Sequence, residues 1–165
     1  MRTGKNCLIF DGAKIGNSEC LEMEDDVTIH DFVMLNAGKS TFIGRGSQIN
    51  AGTVIAGGGV LNIGRYVTIG YNCTILSGTD TPLGKFMCDS KQASERHIVR
   101  GTIDIADRAF IGSNSLICVS RKNRIIRIGE GAVIGAGSRI FKDVEPNMII
   151  IPKQEFLVKE RQKPF

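Results

Sequence analysis

Only two histidines stand in this chain of 165 residues, His30 in IHDF and His97 in SERHIVRG. Histidine is the side chain that exchanges a proton near neutral pH without special help. Among the carboxylates, Asp80 in ILSGTDTPLG stands out by place, because a regular pattern stops just before it. A free carboxylate titrates near pKa ~4 and needs burial to act well as a base. Asp25, Asp26 and Asp31 cluster in EDDVTIHD and read as a solvated acidic face rather than a metal site. Two histidines cannot supply a three-histidine zinc site within one chain, and the five cysteines show no CxxC spacing. Cys7 and Cys73 fall in small, inward slots, and Cys88 has no matched base nearby, so no cysteine is placed as a covalent nucleophile. Positive charge gathers in RKNRIIR (Arg121, Lys122, Arg124, Arg127) and at Lys142, Lys153, Lys159 and Arg161, where it suits a phosphate.

A ladder of branched aliphatic residues must position these groups. Ile43, Ile49 and Ile55 are spaced by six, and Ile63, Ile69 and Ile75 repeat them twenty residues later. Met23, Ile29 and Leu35 stand twenty residues earlier, and Thr3, Ile9 and Ile15 one step before that. The ladder resumes at Ile105, Ile111 and Ile117 and again at Ile128, Ile134 and Ile140. A period near twenty predicts a solenoid. A six-residue spacing cannot keep one face of a helix, so the units are strands. A second column, Leu21, Thr41, Leu61, Ile103 and Ile126, precedes each first slot by two, which is strand alternation. Each coil is therefore three short strands joined by tight turns, in a single all-β domain.

The residue after each ladder position is usually Gly (Gly16, Gly44, Gly64, Gly70, Gly112, Gly129, Gly135), with His30, Asn36 and Asn50 as exceptions. That column predicts turns of positive φ, with His30 as an outer turn residue. The ladder breaks twice. Residues 77–102 must leave the prism as a loop, and solenoid insertions often carry function. The second break holds RKNRIIR. Boundaries follow at 1–143 for the prism and 144–165 for a C-terminal arm or short helix, the helix expected over 155–161.

Composition narrows the classes. A hydrophobic fraction of 42% with 6% aromatics, no Trp and 20 Gly suits a narrow prism of stacked Ile, Val and Leu. The net charge of +4 is too mild for a nucleic-acid binder. No signal peptide or apolar run near 18 residues is present, so no membrane span is expected. The unpatterned cysteines read as those of a reducing cytoplasm.

The hexads IGRGSQ, IGYNCT, IGSNSL, IGEGAV and IGAGSR resemble those of hexapeptide-repeat acyltransferases, and IGAGSRIFKDVEPN resembles the closing coil of the galactoside and maltose acetyltransferase branch. The resemblance implies a left-handed parallel β-helix, a homotrimer, and acetyl-CoA lying between neighbouring subunits as co-substrate. The implied activity is direct O- or N-acetylation of a sugar or sugar-containing precursor. It also implies a loop histidine as general base, and this chain has Asp80 at that place. Asn50 matches the family residue beside the acceptor, while Gly57 stands where the family has Asp. Backbone amides around Ser113, Gly135 and Ala136 are implied to meet the coenzyme, with Lys142 and Lys153 near its phosphates.

Three readings of the site stand side by side. His97 folds back as general base with Asp80 orienting its ring. Alternatively, Asp80 is itself a weak base or positions the acceptor. Or the chain is a trimeric scaffold without the chemistry.

Overall fold

The computed structural model describes residues 1–153 and is a parallel β-helix of three ladders. The first face stacks Arg2–Thr3, Leu21–Met23, Ser40–Ile43, Val60–Ile63, Thr102–Ile105 and Ile125–Ile128. The second stacks Leu8–Ile9, Thr28–Ile29, Gln48–Ile49, Thr68–Ile69, Phe110–Ile111, Val133–Ile134 and Ile149–Ile150. The third stacks Lys14–Gly16, Met34–Asn36, Val54–Ala56, Thr74–Leu76, Leu116–Cys118 and Arg139–Ile140.

Register follows the ladder residue by residue. Ile43 pairs with Ile63, Ile63 with Ile105 and Ile105 with Ile128. Ile49, Ile69, Ile111 and Ile134 form the second column, and Ile55, Ile75, Ile117 and Ile140 the third. All of them are buried in one continuous core, together with Leu21, Leu61, Ile103 and Ile126. Alternation drives this: one side chain per two residues turns inward, and a branched aliphatic fills the axis of the prism.

Corners are tied by the small residues four places after each ladder position. Ser47 Oγ donates to Gly64 O at 2.7 Å and accepts from Val67 N–H at 2.9 Å. Thr53 Oγ1 donates to Gly70 O at 2.9 Å. Cys73 takes the same place with Sγ 3.3 Å from Gly112 O, and burial pushes its thiol pKa up, as an inert core residue requires.

The glycine column has another cause than the one its composition suggests. Positive φ occurs three residues after the ladder position, at Asp26, Phe32, Gly46, Gly52, Tyr66, Asn72, Arg108, Asn114, Gly131 and Gly137, not one residue after it. The glycines directly after the ladder residues are fixed by close approach of the next coil. A Cβ on Gly70 would lie 2.6 Å from Ser113 N, and one on Gly112 2.5 Å from Ala136 N. His30 has ordinary φ and stacks on Phe10, with centroids 5.0 Å apart.

The ladders also run past residue 143. Val144 bridges to Ile128, and Ile149–Ile150 pairs with Val133–Ile134, beginning another coil. The helix expected over 155–161 lies outside the described residues, as do Lys159 and Arg161. No described helix is long and apolar enough to cross a membrane.

At the first corner, Glu24 receives Arg65 Nε and Nη2, both at 2.9 Å, and the Arg45 N–H at 2.9 Å. The Arg65 hydrogen bonds and the Arg45 N–H pull the Glu24 pKa down to about 2. A depressed folded-state pKa stabilises above the unfolded value and is lost as pH falls through the folded one. The Glu24→Gln variant should therefore be less stable than the parent by a constant, small margin above pH ~5, because the pair is partly exposed. That margin should close between pH ~4.5 and ~2, as read by denaturant unfolding at several pH values.

Candidate active site

The loop that interrupts the ladder begins as an antiparallel ribbon. Gly78–Asp80 pairs with Ile98–Arg100, with Asp80 opposite Ile98 and Thr79 opposite Val99. Strand side chains alternate between faces. Asp80, Ile98, Arg96 and Arg100 therefore share one face of the ribbon, and Thr81, His97 and Val99 the other. Val99 is fully buried in the core and anchors the second face.

Glycine lets the ribbon leave the prism. Its base rests on Gly57, Gly58 and Gly59 of the coil before. A Cβ on Gly57 would stand 2.2 Å from Gly78 N, and one on Gly59 2.3 Å from Gly101 O. Gly57 also has φ +110°, which disfavours any side chain.

Between the ribbon and the coils lies a polar cleft of ≈ 440 Å³, lined by Asp80, Arg96 and Arg100 with Asn36, Gly57 and Gly58 as its floor. Asp80 Oδ2 accepts from Arg96 Nε at 3.0 Å and Nη2 at 2.5 Å. Arg96 Nη2 also reaches Asp89 Oδ1 at 2.6 Å. The Asp80 hydrogen bond pushes the Arg96 pKa further up, so the guanidinium stays charged. The other carboxylate oxygen, Asp80 Oδ1, is buried and has no hydrogen-bond partner among the described residues. Buried polar atoms are nearly always paired, and an unpaired carboxylate oxygen is a place where a ligand's donor fits.

His97 is not oriented by Asp80, because the ribbon register puts them on opposite faces. Its Nδ1 lies 2.6 Å from Thr81 Oγ1, and the Thr81 N–H donates to the His97 carbonyl at 3.0 Å. With a proton on Nδ1 donated to Thr81, Nε2 is left as an acceptor. Asn50 is 7% exposed, and its Nδ2 donates to Ile69 O at 2.8 Å, tying its corner to the next coil. It does not line the cleft.

The residues expected to meet the coenzyme fall at two corners of the prism. Ser113, Gly135 and Ala136 stand where the second face turns into the third. The Gly135 N–H is already donated to Ile150 O at 2.8 Å, so that amide is not free for a ligand. The Ser113 and Ala136 N–H groups have no hydrogen bond among the described residues. Lys142 is exposed at the corner where the third face turns into the first, the same corner from which the ribbon leaves. Asn123 Nδ2 donates to Phe141 O at 2.8 Å, which draws Lys142 beside the turn carrying Arg121, Lys122 and Arg124. Arg127 is apart from them, held by Asp143. Lys153 is exposed at the end of the described residues.

Arg96, Asp89, Arg100 and Thr81 are the site residues that the sequence alone did not single out. The signal was parity: Asp80 and Arg96 share a face only once the ribbon's register is known.

No protein-family model matches the chain. The bifunctional protein GlmU of Thermotoga petrophila is 35% identical over 94% of this chain, which covers 33% of that relative. GlmU of Thermodesulfovibrio yellowstonii is 30% identical, with 92% of this chain and 34% of the relative covered. The chain thus spans about a third of the length of these curated relatives. Among solved structures, a variant of AntD, an N-acyltransferase from Bacillus cereus in complex with dTDP and coenzyme A, superposes with TM-score 0.80 at 25% identity, covering 97% of this chain and 84% of AntD. A hexapeptide-repeat acetyltransferase from Vibrio cholerae shares the fold, with TM-score 0.59 at 18% identity over 90% of this chain and 66% of that one. These likenesses do not single out the galactoside or maltose branch. By its repeat, its stacked register and these likenesses, the chain is similar to hexapeptide-repeat acyltransferases and adopts a left-handed parallel β-helix of hexapeptide repeats.

Proposed function

We propose that this chain transfers an acyl group, acetyl in the simplest case, from a coenzyme A thioester directly to a sugar-containing acceptor. The observation that carries this reading is Asp80 Oδ1, a buried acceptor without a partner among the described residues, beside a polar cleft. The crystallised relative AntD holds dTDP and coenzyme A, which supports a sugar-linked acceptor and an acyl-CoA donor.

The residues fit such a donor in two parts. Lys142, Arg121, Lys122 and Arg124 supply cations for its phosphates. The unengaged N–H groups of Ser113 and Ala136 suit the developing thioester oxyanion. These groups stand at two corners of the protomer, and we read the site as completed between copies, in the homotrimer that the resemblance implies. The third face offers Met34, Val54, Leu76 and Leu116 for that contact. Sedimentation should give three times the monomer mass of 17.9 kDa, and a monomer that is active would overturn the shared site.

A second reading is favoured by the Thr81–His97 contact: in the tautomer whose Nδ1 proton is donated to Thr81, His97 Nε2 can take the acceptor's proton in place of Asp80.

The test is thiol release from acetyl-CoA with amino and hydroxy sugars, free and as nucleotide conjugates. Alongside it, coenzyme A at 100 times its Kd should stabilise the fold by ~2.7 kcal/mol. Neither thiol release nor a thermal shift would sink the enzyme in favour of a scaffold.

A further inference from the structure

We infer that a cleft on the outer side of the first face is a separate ligand site, built for a small organic cation: an apolar body carrying a protonated amine. The inference goes beyond acyl transfer and does not depend on it.

Phe42, Asn62, Asp104 and Arg127 stand side by side in the register of the ladder. Each lies between two buried positions of its strand, so all four point outward in one column, spaced by about 4.8 Å. The chain returns over the end of this column. Val144 bridges to Ile128, its N–H donates to Arg127 O at 2.8 Å, and the Gly129 N–H donates to Val144 O at 2.8 Å. A Cβ on Gly129 would lie 2.3 Å from Pro146 N, so glycine lets the returning segment lie close. Column and segment enclose a cleft of ≈ 580 Å³, the size of a small-molecule site, with Phe42, Val144 and Pro146 among its apolar walls.

Charge decides what the cleft accepts. Its carboxylates are Asp104, Glu130, Asp143 and Glu145, against the single guanidinium of Arg127. Two of the four are neutralised, Asp143 by Arg127 at 3.5 Å and Glu130 by Arg108. Asp104 receives only a neutral amide, Asn62 Nδ2, at 2.7 Å on Oδ1. Neither Asp104 nor Glu145 is in an ion pair among the described residues. Asp104 is half-buried on the floor, and Glu145 is exposed on the returning segment. An ammonium resting on Asp104 Oδ2 gains a charge-assisted hydrogen bond. The Phe42 ring adds a face that attracts a cation and stacks on an aromatic body. An anion of the same shape meets two uncompensated carboxylates and is repelled.

The cleft lies beside the corner where the first face turns into the second. The ribbon and Lys142 belong to one of the other two corners, and the free amides of Ser113 and Ala136 to the last. A trimer closed on the third face therefore leaves the cleft open and apart from the coenzyme.

The experiment titrates the full chain with tryptamine, tryptophol and indole-3-acetate, read by calorimetry. The three share one ring and carry an ammonium, a hydroxyl and a carboxylate. Tryptamine should bind at least about tenfold more tightly than tryptophol, and indole-3-acetate more weakly than either. Asp104→Asn keeps an oxygen for Asn62 and should weaken tryptamine about 10- to 100-fold, the worth of a hydrogen bond to a charged group. Glu145→Lys, an exposed change outside the core, brings an ammonium to the cleft in place of the ligand's and should weaken it at least about tenfold. Asp11→Asn, an exposed carboxylate outside the cleft, should change nothing, and saturating coenzyme A should leave the affinity within about twofold. No binding of tryptamine at millimolar concentration, or equal binding of tryptophol, overturns the site. Parental affinity in Asp104→Asn or Glu145→Lys does the same, and so does an equal loss in Asp11→Asn, which would be attraction to an acidic surface alone. Displacement of tryptamine by coenzyme A would make the cleft part of the donor site and overturn its separateness. Selectivity is read on the parent chain, so it decides even if Asp104→Asn fails to fold.

Discussion

The Asp80→Asn variant should lose ~10²–10⁴ in kcat for acyl transfer, the range expected when a general base is removed. Asparagine keeps the size and shape of the side chain but replaces one acceptor oxygen by an NH₂. Whichever way the amide turns, the site suffers. With its oxygen towards Arg96, the NH₂ occupies the place of Oδ1 and repels the acceptor's donor. With its NH₂ towards Arg96, two donors meet and the grip on Oδ2 is lost. The His97→Ala variant should stay within about twofold of the parent, because His97 faces away from the cleft and bonds Thr81. Steady-state thiol release from both variants separates the two readings of the loop. A large loss in His97→Ala with a small one in Asp80→Asn would move the base to His97 Nε2. The expectation for Asp80→Asn is a change in rate rather than in fold, since the side chain lies in a protruding ribbon and not in the ladder.

The ladder was open to reading because the spacing of six within a coil is kept even where coils differ in length. Ile49, Ile69 and Ile111 stand in one column even across the inserted loop, because a slip of one residue would turn the buried isoleucines to the outer face. The site was less legible. Asp80 and His97 were visible by type and place, but the register of the ribbon depends on where a long loop closes. No period in 81–97 sets it. A shift of one residue would have put His97 on Asp80's face, and the sequence does not separate the two cases. Arg96 was hidden for the same reason.

Glycine misled in a different way. It serves positive φ at Gly46, Gly52, Gly131 and Gly137, and close backbone approach at Gly44, Gly64, Gly70 and Gly112. Composition cannot tell these apart, because both demands are met by the missing Cβ. The end of the prism was missed because its last coil is shortened: Val144 bridges Ile128 only 16 residues later, which breaks the spacing of twenty.

The same distinction gives a second large effect, at Gly57. The Gly57→Ala variant should lose ~1–3 kcal/mol from its φ of +110° alone. The new Cβ would stand 2.2 Å from Gly78 N and 2.6 Å from Gly78 O, so the base of the ribbon must also move. Gly137→Ala is the control: its φ is +75°, yet its Cβ would meet nothing within 4 Å. Both variants should lower Tm, by roughly 2–4 °C per kcal/mol for a chain of this size, with Gly57→Ala the lower of the two. Their activities should part more sharply. Asp80 stands two residues after Gly78 on the displaced strand, and its bond to Arg96 crosses the ribbon. A displacement of about 1 Å at a catalytic group can cost ~10²-fold in rate. Gly57→Ala should therefore lose activity at temperatures where it remains folded, while Gly137→Ala keeps it. Equal activity in the two folded variants would show that the ribbon does not hold Asp80 in its working place, and the link from the three glycines to the cleft would fail.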